Sequence, residues 1–411
     1  MTIAADLAEP SSLDDIDLYP VAVYQDGAPH HLLRRLRAHA PVWRQQAPDG
    51  TPFWSVTRYR DVVDVLLDTD RFSSEHSTML TVLERDSAAG MAIHLTDPPR
   101  HRFVRSATVQ AMSMRVLKDH EAQIRQRIHD LVADMCRRRE VDFAALTAVL
   151  PMLVAGSLMG IPADRWEEAS RWTVASMAAE DPAYSVGDAA ATLRAAHVYL
   201  FTLFVDLLDE RRANPGGDDL VSRLIRAEID GRPATDDEVL VNCYAFIMGA
   251  NPTIPQGASH FVRVMSADPA LWQRVRSSPE LRPTVLEETL RFSSPVNHLL
   301  RRTREQVEIH GVTIPSGALV AAWLTSANRD ESVFAEPDVF DPARQPNPHV
   351  AFGYGPHRCV GNAVAQTGLR LLIDELVDQV ETIAPAGPVR HLRSNFLNGI
   401  TELPVVLTPA G

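Results

Sequence analysis

The 411 residues are 45% hydrophobic and 23% charged, with a formal net charge of −13, which excludes a disordered chain and argues against nucleic acid or an anionic membrane surface as the main partner. Three cysteines without paired spacing fit a reducing compartment, so a cytoplasmic location is expected. Length alone suggests roughly two or three domains, but without a linker, charge block or repeat the expectation is one domain over 1–411, flexible at 1–15.

Met1 to Pro20 lacks the basic start and apolar core of a signal peptide. The most apolar stretch, Leu146 to Met159, is interrupted by Pro151 and short for a membrane span, so a soluble, unanchored protein is expected. His30 to Ala40 reads as an arginine-rich amphipathic helix. Pro41 to Arg44 and Pro52 to Thr57, on either side of Pro48-Asp49-Gly50, read as a hairpin. Arg58 to Leu67 returns to helical spacing. Phe72 to Ala92 has no period, and a loop this long in a compact chain is usually functional.

Asp97-Pro98-Pro99-Arg100-His101 opens a helix on which His101 and Arg105 fall one turn apart on one face, where they can grip a carboxylate. Arg100, Arg102 and Arg115 suggest a basic docking patch beside them. Helices are expected over Met114–Arg139, Phe143–Met159 and Asp164–Ala178. After a break at Pro182-Ala183-Tyr184, a long helix is expected over Gly187–Arg212.

Thr235 and Glu238 form a capping box, and Val239 to Gly249 is apolar on nearly every face, the mark of a buried helix. It runs into Gly249-Ala250-Asn251-Pro252-Thr253-Ile254-Pro255. Within a helix, Pro252 frees the carbonyl of Met248 and Pro255 that of Asn251, at a cost of about 3 kcal/mol each. A buried polar gap of that kind recruits water or a substrate group. Further on, Glu288 and Arg291 share a helical face, and Pro295 to Leu300 reads as a strand. Phe396 to Ile400 reads as a hairpin tip.

Phe352-Gly353-Tyr354-Gly355-Pro356-His357-Arg358-Cys359-Val360-Gly361 precedes a helix-compatible run from Asn362 to Val377. A thiol at a helix N-terminus meets unpaired N–H groups and the positive end of the dipole, which favour the thiolate. A lone cysteine cannot grip zinc or an iron–sulfur cluster, but it can be the single axial ligand of haem.

This run resembles the haem-ligand loop of the cytochrome P450 family, Phe-Gly-x-Gly-x-His-x-Cys-x-Gly, and further signatures follow one another from Asp97 to the C-terminus. The resemblance implies a mainly α fold with small β-sheets (α+β), triangular and helix-rich, with haem b between a distal and a proximal helix. It implies Cys359 as iron ligand and His101, Arg105, Arg301 and His357 as propionate partners, with Ala250, Phe352 and Gly361 also against the haem. Glu288, Arg291 and Arg344 would form a structural group behind the cysteine loop. Substrate contacts are expected at Met248, Asn297, His298, Leu299, Phe396 and Leu397, and in the loop from Phe72 to Ala92.

The family's distal run is Ala-Gly-x-acid-Thr, and here the acid position holds Pro252. Thr253, Asn251 and Pro252 are therefore the expected catalytic stretch, with protons delivered through Thr253, Asn251, trapped water or the substrate. The resemblance implies a monooxygenase that hydroxylates or epoxidises a small organic substrate, free or tethered to a carrier protein, in specialised metabolism. Electrons would come from a ferredoxin or flavodoxin with its NAD(P)H reductase. The altered distal run keeps oxidative coupling, nitration and peroxide-driven oxidation open, and a haem-thiolate sensor as a non-enzymatic alternative.

Overall fold

The structure, a computed structural model, describes residues 12–111 and 114–411. Most of the expected flexible start therefore lies outside the described residues. Helices dominate and the sheets are small, the expected balance.

The hairpin forms where turn residues separate two apolar runs: Val42–Gln46 pairs antiparallel with Pro52–Val56, Val42 opposite Val56. It is the edge of a five-stranded sheet that continues through Leu319–Trp323, His298–Thr303 and Phe72–Ser73. Every residue of Leu319–Trp323 is buried, as a central strand covered on both faces requires. A second sheet joins Val380–Pro385, Pro404–Pro409 and Glu140–Asp142.

The helix at Asp97 runs from Arg100 to Ala111. The single helix expected over Phe143–Met159 is instead three short pieces, Phe143–Thr147, a π-helical turn at Met152–Gly156, and Ser157–Met159. Pro151 accounts for this, because it cannot donate into the preceding turn. Two helices flank the Pro182 break, Trp166–Met177 and Ala189–Ala213, and the second is capped by the Asp188 carboxylate on the Ala191 N–H at 2.6 Å. Ala189–Ala213, rather than Leu146–Met159, is the one helix among the described residues long and apolar enough to cross a membrane by length and composition. It packs on Trp166–Met177 and Asp236–Ala250.

The capping box at Thr235 is present, with the Glu238 N–H on the Thr235 hydroxyl at 3.3 Å and the Thr235 N–H on the Glu238 carboxylate at 2.8 Å. The apolar helix it starts, Asp236–Ala250, stops at the proline pair, and a new helix begins at Ile254 and runs to Ala267. The expectation of two prolines inside one helix is thereby corrected. Pro255 sits in the first turn of the second helix, where no N–H partner exists to be lost. Gly257 lets that helix approach closely: a Cβ there would lie 2.9 Å from a Leu369 methyl, on the helix Asn362–Gln379 that follows the cysteine. Close approach of these helices positions the cysteine loop beneath the break.

Candidate active site

Cys359 lies between a turn at Gly355–His357 and the helix from Asn362. Its N–H bonds the Phe352 carbonyl at 2.8 Å, folding the loop back on itself. Gly355 has φ +70°, and a Cβ there would lie 2.8 Å from the Leu66 carbonyl oxygen, so glycine is required by conformation and by space. Burial pushes the thiol up from its ordinary value, while the Gly361 N–H, Arg105 and Arg358 oppose it. The Gly361 N–H thus acts in the direction expected of a helix terminus but does not prevail over burial. Desolvation outweighs those partners, and a coordinated metal deprotonates such a thiol outright.

The thiol is exposed although it lies deep in the molecule, because it opens into a cavity of about 970 Å³. The cavity reaches from Cys359, Phe352 and Gly361 to Met248, Ala250 and Thr253 on the distal side. His101, Arg105 and His357 line one flank. The His101 and His357 rings are 4.2 Å apart, and His101 Nε2, His357 Nε2 and Arg301 Nε are buried without a partner. Burial, then Arg105, lowers His101 to about 4; burial, then Arg301, lowers His357 to about 2. Arg301 falls to about 10 by burial and bonds the Leu300 carbonyl. None of the four bonds a carboxylate among the described residues. Asp97, the nearby acid, is already held by Ser73, Ser74 and Arg304.

Unpaired basic groups facing one another beside an accessible thiol suit a flat iron-binding group that carries carboxylates. The residues present thus fit haem.

The comparisons with known proteins point to the same cofactor. The family model for "Cytochrome P450" matches residues 181–390. The chain is 36% identical to a linalool 8-monooxygenase of Pseudomonas putida, covering 96% of this chain and 99% of the relative. The chain belongs to the cytochrome P450 family. An erythromycin C-12 hydroxylase of Saccharopolyspora erythraea is 33% identical over 91% of this chain and 93% of its own. A solved cytochrome P450 of Mycobacterium marinum, in complex with pseudoionone, superposes with a TM-score of 0.88 at 30% identity, covering 97% of this chain and all (100%) of that one. The chain is accordingly a P450 monooxygenase with the P450 fold and a haem cofactor.

Against that family background, the distal residues divide. Thr253 lines the cavity, and its hydroxyl donates to the Gly249 carbonyl at 2.6 Å. Asn251 and Pro252 are buried and do not line the cavity; the Asn251 amide turns to the Thr173 hydroxyl at 3.4 Å. Expecting Asn251 to face the reacting centre is corrected by this turn, which points it into the neighbouring helix.

Of the expected substrate contacts, Met248, Leu299 and Phe396 line the cavity, whereas Asn297, His298 and Leu397 do not. His298 is buried as a strut: it accepts the Leu80 N–H at Nε2 (3.1 Å) and donates from Nδ1 to the Asn395 carbonyl (3.2 Å). The strand's alternation sends residues 298 and 300 away from the cavity and Leu299 toward it. Glu288 accepts from Arg291 at 2.8 Å and from Arg344 at 3.1 Å, and all three are buried. Arg100 is engaged by Asp230 and Glu238 rather than free on a docking patch, Arg102 is exposed, and the Arg115 side chain lies outside the described residues.

Sequence reasoning missed His94, which lines the cavity and which burial lowers to about 4. It also missed His197, Phe201 and Tyr244. Single residues in a loop or an apolar helix carry no spacing signal of their own.

Proposed function

We propose that the chain binds haem b and hydroxylates or epoxidises a small, largely apolar organic substrate in specialised metabolism, working as one domain over 1–411. One atom of dioxygen enters the substrate and the other leaves as water, with two electrons passed from NAD(P)H through a reductase and a ferredoxin or flavodoxin. The observation that carries this is the shared cavity, with the Cys359 thiol on one side and the Thr253 hydroxyl on the other. The names of the relatives, a linalool monooxygenase and an erythromycin hydroxylase, support the substrate class.

Cys359 would ligate the iron, with His101, Arg105, Arg301 and His357 holding the two carboxylates and Ala250, Phe352 and Gly361 flanking the ring. When bound, haem supplies dioxygen activation, which thiolate ligation favours. The chain's own part is to bind, orient and hold protons. Met248, Leu299 and Phe396 supply apolar surface that orients the substrate and displaces water. Thr253 Oγ1, anchored on Gly249, presents the one hydroxyl of the break that a proton can use.

Titration of the ferric protein against terpenoids, macrolactones, cyclic dipeptides, aromatic amino acids and fatty acids tests the reading. It predicts a low- to high-spin Soret shift with one apolar class and an oxygenated product with reductase present. Shifts without oxygenated product would overturn it. A second reading, oxidative coupling, nitration or peroxide-driven oxidation, is favoured by one observation: the family's acid position is a buried proline outside the cavity. Product formation with peroxide alone, at the rate of the reductase system, would select its peroxide form.

A further inference from the structure

On the cysteine side, outside the cavity, one carboxylate has no role in what has been described. Glu287 stands next to Glu288 on the helix Arg282–Ser293. Where Glu288 takes the two buried arginines, Glu287 turns to the cysteine loop. Its Oε2 accepts from His349 Nε2 at 3.0 Å and its Oε1 from Gln366 Nε2 at 2.9 Å. His349 precedes Cys359 in the chain, and Gln366 follows it on the helix Asn362–Gln379. One side chain on a third element thus bridges the segments on either side of the cysteine.

The bridge reaches Cys359 through an unbroken run of contacts. His349 Nδ1 accepts the Ala351 N–H at 3.2 Å, which leaves the ring proton on Nε2, facing Glu287. The His349 and Phe352 rings lie 6.1 Å apart at 48°, and the Phe352 carbonyl takes the Cys359 N–H. Around these contacts the backbone is fully used: the Val350 N–H donates to the Asn328 side chain at 2.7 Å and the Gly353 N–H to the Val350 carbonyl at 2.8 Å. Only the Ala351 N–H depends on a ring, and that ring is oriented by a carboxylate. At 5% exposure the His349 side chain has little access to water that could replace Glu287. The hydrogen bond from His349 holds the Glu287 carboxyl below its ordinary value, burial opposing and Gln366 and Arg358 adding to the fall. An ionised acceptor makes such a bond roughly twice as strong as a neutral one.

We propose that Glu287 is a positioning residue, a staple that ties His349 before the cysteine to Gln366 after it and so holds the Cys359 sulfur where it can ligate iron. The inference goes beyond the monooxygenase reading and rests on its haem-thiolate part.

The haem-loaded protein is reduced under carbon monoxide. The ratio of complex lacking the thiolate signature to complex showing it is read by absorbance, with circular dichroism of the same sample reporting the fold. A residue that only stabilised the fold would not move this ratio in folded protein. Glu287→Ala and His349→Phe should each raise it by about tenfold, the scale of one hydrogen bond to a charged group. Gln366→Leu cuts only the arm after the cysteine and should raise it less. Gln366→Arg, which restores a donor to Glu287, should return it to the wild-type value. An unchanged ratio in Glu287→Ala or in His349→Phe, a rise seen only where dichroism shows lost helix, or a Gln366→Arg variant no better than Gln366→Leu overturns the staple alone. A wild-type complex without the thiolate signature overturns Cys359 as the iron ligand, and the staple with it.

Discussion

At Cys359 the local field is unfavourable to the thiolate, since burial outweighs Gly361, Arg105 and Arg358. Iron is therefore what would hold the charge, and Cys359→Ser is expected to abolish the thiolate signature of the reduced CO complex, read by absorbance. Thr253 closes on the Gly249 carbonyl from within the cavity. Thr253→Ala should lower product formed per NAD(P)H consumed several-fold, less than the ~10²–10⁴ a positioned proton donor can contribute to a rate, while leaving haem content unchanged. Full coupling in that variant would remove Thr253 from proton delivery. His298 gives a pH prediction. Burial lowers it from 6.5 to about 3, so the folded state holds it neutral. Its stabilisation is whole above about pH 6.5 and is lost as the pH falls toward 3, by up to about 1.4 kcal/mol per pH unit for one proton. His298→Phe should flatten the fall in thermal midpoint between pH 6.5 and 5.

At the scale of elements, the distal helix shows why proline position matters more than proline count. Pro252 lies in the turn and Pro255 in a first helical turn, so neither bears the interior cost of about 3 kcal/mol. Pro255→Ala is expected to change stability by less than about 1 kcal/mol, measured by denaturant midpoint. A gain of several kcal/mol would show that the break is strained. The loop from Phe72 to Ala92 needs no period of its own, because its backbone is pinned by distant partners. The Leu80 N–H bonds His298, and the Ile93 N–H just beyond the loop bonds the Asn242 side chain at 2.9 Å. Its cavity-facing residues are thus set by the sheet and the distal helix.

For the whole molecule, Glu288 is the buried knot between the helix Arg282–Ser293 and the segment leading to the cysteine loop. It accepts from Arg291, Arg344, the Asp341 N–H and Asn347. Removing it leaves two buried guanidinium groups uncompensated. Glu288→Gln is expected to cost about 3–5 kcal/mol, seen as a lowered thermal midpoint and lost haem retention although the residue does not line the cavity. Retention at wild-type level would mean that the cysteine loop is held by other contacts.

Local chemistry carried far in the sequence. The cysteine loop, the His101–Arg105 spacing, the capping box and the Glu288–Arg291 pair are short-range patterns in which residue type and separation decide the geometry, so they were legible along the chain. The loop over the pocket was legible too, by its lack of period, but not which of its residues turn inward. Tertiary structure alone decided that Asn251 faces Thr173 and His298 braces Leu80, because helix and strand orientation depends on partners 78 and 218 residues away. It alone assembled His197, Phe201 and Tyr244 on one wall of the cavity. A cavity is the space that packing leaves between elements, and no spacing within a single element encodes it.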